Sequence, residues 1–330
     1  MKITVLSDGA WGTALALVLL DNQHDVTMWG PFPEYIKEME SSRYNSKFLP
    51  GVKLNESLKF ESDIGKAVED CAVILLASPS QYLRGVLKQL KPYFVPEKHL
   101  LVNVAKGIEV DTWLRMSEVT REVLGDCHYV VLSGPSHAEE VSRKVPTLVV
   151  CASDYISNAE NVRDLFMNEY FRVYTSTDMT GVELGGALKN VMAIAAGVID
   201  GMKLGDNPKA ALVTRGIAEM SRLGVALGGD IQTFAGLSGV GDLIVTCCSG
   251  HSRNRHVGEA LGEGRKLDDI IRSMGMVVAE GVTTAKGAKH LADTAGVETP
   301  IISEIYNVLY NDKSPEEAIR GLMTRSPKQE

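Results

Sequence analysis

Short apolar runs that alternate with helix-length segments fill the first half of this chain and constrain its fold more than any other feature. Runs with the length and composition of strands lie at residues 3–6, 25–29, 72–76, 100–104, 129–132 and 148–151. Helical patterns lie between them at residues 13–20, 82–90 and 113–124. This alternation predicts a mostly parallel sheet covered by helices, in which ligands bind at the carboxyl ends of the strands.

The character of the sequence changes near residue 178. From Met179 onward apolar residues recur at helical spacing and β-branched runs become scarce, which predicts helices. They are expected at residues 184–199, 210–227, 242–247, 257–261, 267–274, 283–295 and 302–309. At roughly 150 residues per domain, a chain of 330 residues corresponds to about two domains. We therefore predict an α/β domain over residues 1–178 and an all-α domain over residues 179–330.

Composition and cysteine usage limit the possible partners and location. The chain carries 34 basic and 42 acidic residues and a formal charge of -8, so most of its surface would repel a nucleic acid. Five cysteines without C-x-x-C spacing indicate reduced thiols, which are typical of cytoplasmic proteins. No apolar run reaches the roughly 20 residues that a membrane-spanning helix needs, and the chain opens with a strand rather than a signal sequence. We predict a cytoplasmic protein without a membrane span.

The turn after the first strand has the form of a dinucleotide fingerprint that lacks its first glycine. In G-x-G-x-x-G, the second glycine allows close approach of a pyrophosphate, and the third allows the helix to pack on the strand. Gly9 and Gly12 occupy these two positions, with Ala10 and Trp11 between them, whereas Ser7 stands at the first. The following helix would add unpaired N–H groups and a positive dipole. An ordinary strand–helix turn is the alternative, and the surrounding strand–helix–strand unit favours the dinucleotide site.

Neighbouring residues leave the identity of the dinucleotide open. Asp8 places a carboxylate in the phosphate turn, where it would repel a pyrophosphate unless it turned to solvent or capped the helix. After the second strand, Trp29, Gly30 and Pro31 include neither the acid that binds an NAD ribose nor an arginine for the NADP phosphate. This loop therefore does not decide between NAD and NADP.

Lys189 is the one charged residue in the apolar helix predicted over residues 184–199. An ammonium group in such surroundings is costly unless it is used or paired, and desolvation disfavours the charged form of an amine. An amine tuned in this way can donate a proton to the alkoxide that forms when a hydride reduces a carbonyl. The alternative is a structural lysine that is ion-paired or reaches the solvent.

A polar loop at residues 249–256, the anion loop, combines Ser252, Arg253, Asn254 and Arg255 with two histidines. Arginine offers a fork of donors to phosphate oxygens, and serine and asparagine add neutral donors. The anion loop therefore predicts a site for a small phosphorylated substrate, with a solvated basic loop as the alternative. Its histidines lack acidic or cysteine partners at ligand spacing, so no metal site is predicted.

Further polar residues follow predicted strands or glycines. Lys106 comes after residues 100–104, and Gly134 and Ser136 come after residues 129–132, so all three are expected at the ligand-binding edge of the sheet. Asp242 follows several glycines at a predicted helix start. Helix capping and catalysis are both compatible with that position.

Six motifs occur along the chain: GAWGTAL at 9–15, NVAKGIE at 103–109, LSGPS at 132–136, GVEL and KNV within 181–191, GL and GDL within 236–243, and SRNR at 252–255. On these motifs the chain resembles, from end to end, the bacterial-type NAD(P)-dependent sn-glycerol-3-phosphate dehydrogenases. The resemblance implies a Rossmann-like doubly wound sheet followed by an all-α domain like that of 6-phosphogluconate dehydrogenase. It also implies reversible hydride transfer between NAD(P)H and C2 of dihydroxyacetone phosphate, giving sn-glycerol 3-phosphate for glycerophospholipid synthesis, and a homodimer.

The resemblance also assigns roles to individual residues. Lys189 is implied to be the general acid/base, and Lys106 and Asp242 are implied to polarise or orient the C2 oxygen. Substrate contacts are implied for Lys106, Gly134, Ser136, Lys189, Asn190, Asp242, Thr246, Ser252, Arg253 and Asn254. Cofactor contacts are implied for Gly9, Ala10, Trp11, Gly12, Lys106, Ala138, Arg253, Val278 and Glu280.

Four residues depart from the family pattern. Ser7 and Asp8 alter the phosphate turn, His137 stands where a Phe is usual, and Pro31 replaces the arginine common after the second strand. Loss of that arginine removes the most obvious partner of a 2′-phosphate, so we expect NAD(H) to be preferred over NADP(H). Ser7 and Asp8 leave open a catalytically weak dinucleotide-binding or sensor protein, and a related hydroxyacid dehydrogenase is a further alternative.

Overall fold

Two compact units make up the chain in a computed structural model that describes residues 1–275, 278–327 and 329. The first, the sheet unit, comprises Met1–Lys106 and Leu114–Glu183. The second, the helical unit, comprises Gly107–Trp113 and Leu184–Glu330. This division differs from a single boundary after residue 178 in two places. A short segment after Lys106 belongs to the helical unit, and residues 179–183 belong to the sheet unit.

An eight-stranded sheet forms the centre of the sheet unit. The strands of the unit are β1 (Lys2–Leu6), β2 (Asp25–Trp29), β3 (Tyr44–Asn45), β4 (Leu49–Lys53), β5 (Lys59–Glu61), β6 (Val73–Leu76), β7 (Leu100–Asn103), β8 (Tyr129–Ser133), β9 (Thr147–Ala152) and β10 (Phe171–Ser176). The order is β10-β9-β8-β7-β6-β1-β2-β5, with β3 and β4 as a separate antiparallel pair. Every neighbouring pair in the large sheet is parallel except β8 and β9. The strand order changes direction between β1 and β6, and doubly wound folds bind ligands at such a point.

Apolar residues bury both faces of this sheet. Side chains alternate along a strand, so Val5 packs in one hydrophobic cluster and Leu6 in another, and Leu75 and Leu76 are divided in the same way. The helices of the unit are α1 (Ala10–Asp21), α2 (Pro33–Ser42), α3 (Ile64–Ala67), α4 (Ser80–Leu90), α5 (Met116–Leu124), α6 (Ala138–Val141) and α7 (Ile156–Phe166). Continuous apolar strands such as β6 are typical of parallel sheets covered on both faces.

A long apolar helix, α8 (Met179–Gly201), forms the core of the helical unit from Leu184 onward. Its residues 181–199 are all buried. The remaining helices are α9 (Asp206–Ala226), α10 (Ile231–Phe234), α11 (Asp242–Cys248), α12 (Arg253–Gly262), α13 (Leu267–Met274), α14 (Glu280–Ala295), α15 (Pro300–Tyr310) and α16 (Pro315–Met323), and Leu237–Gly241 form one π-helical turn. By length and hydropathy alone, Met179–Gly201 and Ile231–Cys248 could span a membrane, but the apolar window of the first is entirely buried in the protein.

The predicted fold class is confirmed, and the differences are local. The helix predicted from residue 113 begins at Met116 instead, because Trp113 has a left-handed backbone with a φ of 62°. The sequence patterns did not indicate ten elements, namely β3, β4, β5, β10, α2, α3, α6, α7, α10 and α16. In β10 the residues alternate between buried and partly exposed or exposed, so no continuous apolar run marks this strand at the edge of the sheet.

Candidate functional site

The turn between β1 and α1 has the features of a dinucleotide site. Gly9 is the N-cap of α1 and no side chain caps this helix, so the N–H groups of Ala10 and Trp11 keep their hydrogen-bonding capacity for a ligand. A Cβ atom at Gly12 would lie 3.2 Å from Val5 Cγ1, which is closer than an ordinary contact, so glycine allows α1 to pack tightly on the sheet. The turn therefore fits a bound pyrophosphate.

Ser7 and Asp8 shape the same turn. Ser7 Oγ accepts a hydrogen bond from Gly9 N–H at 3.0 Å, so the hydroxyl that replaces the first fingerprint glycine braces the turn. Asp8 is only 8% exposed, and its Oδ2 has no hydrogen-bond partner among the residues that the structure describes. Burial raises the pKa of this carboxyl group. The Asp8 side chain neither turns to solvent nor caps α1. These were the two arrangements expected to be compatible with a bound pyrophosphate.

Lys106, Gly134 and Ser136 come together beyond the carboxyl ends of β7 and β8. Lys106 Nζ donates to Gly134 O at 3.0 Å, and Ser136 Oγ donates to the same carbonyl oxygen at 2.8 Å. Gly134 has a φ of 136°, and a Cβ atom there would lie 3.0 Å from Val149 Cα. Glycine is therefore required at this position. Ala138 begins α6 directly after this loop.

Lys189 is buried in the helical unit and hydrogen-bonded to two residues of α11. Its Nζ donates to Asp242 Oδ1 at 2.8 Å and to Thr246 Oγ1 at 2.7 Å. The Thr246 hydroxyl donates in turn to the Asp242 carbonyl oxygen at 2.6 Å. The side chains of Lys189 and Asp242 are 9% and 1% exposed. Among the described residues, two of the three N–H donors of the ammonium group have partners, and the third remains for a ligand.

The π-helical turn before α11 presents Asp242 to Lys189. Asp242 is the first residue of α11, and Gly241 is the N-cap. A Cβ atom at Gly185 would lie 2.6 Å from Ser238 O, so glycine lets the π-helical turn pack closely against α8. Gly185 precedes Lys189 by about one helical turn. The close packing therefore places the Asp242 carboxylate beside the ammonium group.

Ser252, Arg253 and Asn254 form the start of α12. Ser252 is the N-cap, and its Oγ accepts a hydrogen bond from Arg255 N–H at 3.2 Å. Arg253 is exposed and has no ion-pair partner within the part of the chain that the structure describes. A guanidinium group beside a helix N-terminus favours anion binding, because both offer donors and positive charge.

Asn254 connects α12 to α8 and α14. Its Nδ2 donates to Asn190 Oδ1 at 2.9 Å, and its Oδ1 accepts from Gly281 N–H at 2.8 Å. A Cβ atom at Gly281 would lie 2.5 Å from Asn190 O, so this position needs glycine. No local sequence pattern indicates Gly281, because the backbone that approaches it is distant in the chain. Val278 lies shortly before α14, and Glu280 is the first residue of α14.

Arg255, which the sequence places among the anion-binding residues of the anion loop, is instead paired with acidic residues. Its Nε donates to Asp200 Oδ2 at 2.6 Å, and its Nη1 lies 3.6 Å from Glu259 Oε2. Lys209 Nζ lies 2.5 Å from the other carboxylate oxygen of Asp200. Arg255 therefore anchors α12 to the end of α8, and Arg253 is the arginine left for an anion.

Comparison with known proteins matches most of the chain to one family. A family model described as NAD-dependent glycerol-3-phosphate dehydrogenase N-terminus matches residues 2–159, and the model described as the C-terminus of that enzyme matches residues 178–320. A glycerol-3-phosphate dehydrogenase (NAD(P)+) of Chlorobium phaeobacteroides is 50% identical over 333 residues, which cover 100% of this chain and 99% of the relative. That of Geobacillus thermodenitrificans is 51% identical over 332 residues, with coverages of 100% and 96%.

A solved structure is also similar over nearly the whole chain. The crystal structure of glycerol-3-phosphate dehydrogenase from Coxiella burnetii matches with a TM-score of 0.94 and 36% sequence identity. The match covers 98% of this chain and 99% of that chain. Sequence and fold therefore point to the same family.

Proposed function

This chain belongs to the NAD-dependent glycerol-3-phosphate dehydrogenase family, and from that premise we propose how its own residues carry out the reaction. The reaction is reversible hydride transfer between NAD(P)H and C2 of dihydroxyacetone phosphate, giving sn-glycerol 3-phosphate for glycerophospholipid synthesis. The bound nicotinamide supplies the hydride. The protein must supply a proton for the C2 oxygen, a site for the substrate phosphate and a fixed position for the cofactor.

Lys189 is the proton donor in this proposal. Asp242 and Thr246 hold two of its N–H groups, so the third has a fixed direction and donates to the C2 oxygen. As negative charge develops on that oxygen, the ammonium group stabilises it and transfers the proton. In the reverse direction the neutral amine accepts the proton of the C2 hydroxyl group. The buried pair of Lys189 and Asp242 is the observation that supports this proposal, because an ammonium group held by two buried partners has a fixed direction, whereas a solvated surface lysine does not.

Asp242, Thr246 and Lys106 assist this step. Asp242 stabilises the ammonium form of Lys189, and Thr246 fixes the direction of its Nζ. Lys106, held by Gly134 O in the sheet unit, is proposed to polarise the C2 oxygen as a second cation. Gly134 and Ser136 are proposed as substrate contacts beside Lys106, since Ser136 binds the same carbonyl oxygen.

The start of α12 is the proposed phosphate site. Arg253 offers a guanidinium group that has no ion-pair partner among the described residues, and Ser252 adds a hydroxyl donor at the N-cap. Asn254 and Asn190 are buried and hydrogen-bonded to each other, so they hold the start of α12 in place against α8. A phosphate binds here through charge and several donors, whereas an unphosphorylated triose would lose these contacts.

The cofactor site is proposed along the turn from Gly9 to Gly12. Its uncapped helix N-terminus offers N–H donors to the pyrophosphate. Trp11 contributes a buried indole Nε1 that has no hydrogen-bond partner within the residues that the structure describes. By similarity to the family, Lys106, Ala138, Arg253, Val278 and Glu280 also contact the cofactor. NAD(H) is the proposed preference over NADP(H), because Pro31 stands where an arginine would bind the 2′-phosphate.

A homodimer in the cytoplasm is the proposed working form. All five cysteines are free thiols, which supports a reducing compartment. The helical unit exposes apolar residues that an interface between subunits would cover, among them Leu204, Val225, Ile231 and Ile244. Sedimentation equilibrium measures the assembly, and a monomer at micromolar concentration would refute the dimer.

Oxidation of NADH by purified protein and dihydroxyacetone phosphate, followed by absorbance, tests the proposed function. Parallel assays contain NADPH in place of NADH, or dihydroxyacetone in place of its phosphate. We expect turnover that requires the phosphate and is faster with NADH. Cofactor binding without turnover would refute the dehydrogenase and favour a dinucleotide sensor, whereas equal turnover of both trioses would refute the phosphate site.

A further inference from the structure

Asp8 holds a fixed position just beyond the carboxyl end of β1, where the cofactor site is proposed. Asn45 Nδ2 donates to Asp8 O and to Thr13 Oγ1, both at 2.8 Å, and Tyr35 OH donates to Asn45 Oδ1 at 2.7 Å. These buried hydrogen bonds fix the backbone at Asp8. The carboxylate itself has a buried oxygen, Oδ2, that has no hydrogen-bond partner in the described part of the chain. Such an oxygen is costly to bury, so a ligand that donates to this carboxylate would be favoured.

The Asp8 side chain lies against Gly30, the residue that follows β2. A Cβ atom at Gly30 would lie 3.0 Å from both Asp8 Cβ and Asp8 Oδ2. In dinucleotide-binding folds, the acid that binds the adenosine ribose stands about 20 residues after the glycine fingerprint, at the end of this strand. Here that position has no side chain, and the carboxylate of Asp8 occupies the adjacent space.

A second acidic residue near the end of β2, Glu61, is hydrogen-bonded within its own turn. Glu61 ends β5, which pairs with β2 at Trp29. Its Oε1 accepts hydrogen bonds from Ser62 N–H at 2.8 Å and Asp63 N–H at 2.9 Å. Glu61 Oε1 is therefore engaged in its own turn, whereas Asp8 Oδ2 has no hydrogen-bond partner among the described residues. The positive charge of Lys47 compensates part of the charge on the Asp8 carboxylate, and its Oδ2 still lacks a donor.

We propose that Asp8 supplies, from the first turn, the ribose-binding carboxylate that β2 lacks, and that it thereby selects NAD(H) over NADP(H). The 2′- and 3′-hydroxyl groups of the adenosine ribose are donors that would satisfy a carboxylate. A 2′-phosphate in the same place would bring a second negative charge against it. This proposal rests on the proposed dehydrogenase function. It assigns the cofactor preference of the enzyme to Asp8, the residue whose carboxylate was expected to repel the pyrophosphate of any dinucleotide.

Equilibrium binding without substrate tests this role. Dissociation constants for NADH and NADPH are measured by nicotinamide fluorescence for the wild type, Asp8→Ala and Asp8→Asn. Asp25→Asn, at the start of β2 in an exposed ion pair with Lys59, is the matched control. ADP-ribose and its 2′-phosphorylated form, used as competitors, confine the measurement to the adenosine half of the cofactor.

We expect the wild type to bind NADH more tightly than NADPH. Asp8→Ala should weaken NADH binding by about tenfold or more, because bonds to a charged group are lost, and should leave NADPH binding unchanged or tighter. Asp8→Asn should also reduce the discrimination, since it removes the charge but keeps an acceptor. Asp25→Asn should change neither constant.

Unchanged constants, or an equal loss for both cofactors in folded Asp8 variants, would overturn the proposal. Circular dichroism and the melting temperature of each variant establish that it is folded. The proposed function and the role of Asp8 can fail independently of each other. Selective NADH binding that depends on Asp8, without any turnover of dihydroxyacetone phosphate, would refute only the proposed function. Conversely, turnover by the wild type with unchanged selectivity in Asp8→Ala would remove the role of Asp8 alone.

Discussion

Lys189 Nζ lies 2.8 Å from Asp242 Oδ1, although 53 residues separate the two in the chain. Both side chains are buried, so each charge depends on the other for compensation. Removal of one partner from such a pair costs about 3–5 kcal/mol of stability, because it leaves an unpaired charge inside the protein. Variants at this pair therefore need a design that separates folding from catalysis.

Lys189→Met should abolish proton donation and also destabilise the protein. The double variant Lys189→Met/Asp242→Asn removes both charges and should regain most of the lost stability. Turnover should stay about 10²–10⁴-fold below the wild type in both variants. Thermal unfolding and NADH oxidation measure the two effects, and a double variant with near-normal turnover would exclude Lys189 as the proton donor.

Thr246→Val should lower kcat because the Thr246 hydroxyl holds the Nζ atom of Lys189. A lost hydrogen bond to a charged group corresponds to about 1.5–3 kcal/mol, or roughly tenfold or more in rate. Thr246→Ser keeps the hydroxyl group and is the control, with an expected kcat close to that of the wild type. If valine and serine variants gave the same kcat, Thr246 would have no positioning role.

Arg253→Ala should raise the KM for dihydroxyacetone phosphate by about tenfold or more, since a charge-assisted contact to phosphate is lost. Stability should be nearly unchanged, because Arg253 is exposed at the start of α12. Arg272→Ala, an exposed arginine paired with Asp269 in the same unit, is the control. Steady-state kinetics give both KM values, and an unchanged KM in Arg253→Ala would place the phosphate elsewhere.

Glu219 should make the protein less stable as the pH rises. Its carboxylate accepts hydrogen bonds from Ile301 and Ile302 N–H at the start of α15, yet burial raises its pKa to about 7. The unfolded chain releases this proton near pH 4.5, whereas the folded protein keeps it until about pH 7. Folding therefore binds a proton in this range, and the free energy of unfolding falls by about 3 kcal/mol between pH 4.5 and 7.

Urea unfolding at several pH values measures this contribution of Glu219. Glu219→Gln cannot ionise, so its stability should depend less on pH than that of the wild type. Glu316→Gln, at an exposed position in α16, is the control and should keep the slope of the wild type. Equal slopes in all three proteins would show that Glu219 does not titrate in this range.

The apolar runs and the position of Lys189 allowed most of the fold and one central residue of the site to be predicted. Strands such as β6 are continuous apolar runs, and Lys189 is the single charged residue of the apolar segment 184–199, so local pattern suffices for both. The role of Asp242 stayed open in sequence, because a helix start favours acids whether or not they face a lysine. The close packing of Gly185 on the π-helical turn, which brings Asp242 to Lys189, involves residues far apart in the chain.

Other features of the site depend on such distant contacts. Arg253 and Arg255 look equivalent in the sequence of the anion loop, and the pairing of Arg255 with Asp200 distinguishes them only in the folded protein. The orientation of Asp8 likewise depends on Gly30, whose missing side chain leaves room for the carboxylate. Local patterns therefore indicate candidate residues for the site, but not the partner that each of them has in the fold.

Transfer of deuterium from labelled cofactor tests the central claim most directly. The purified protein is incubated with dihydroxyacetone phosphate and NADH that carries deuterium at both C4 positions, and the product is analysed by mass spectrometry and NMR. We predict sn-glycerol 3-phosphate with one deuterium atom at C2. A product whose C2 hydrogen comes from solvent, or consumption of NADH without this product, would contradict hydride transfer to C2 of dihydroxyacetone phosphate.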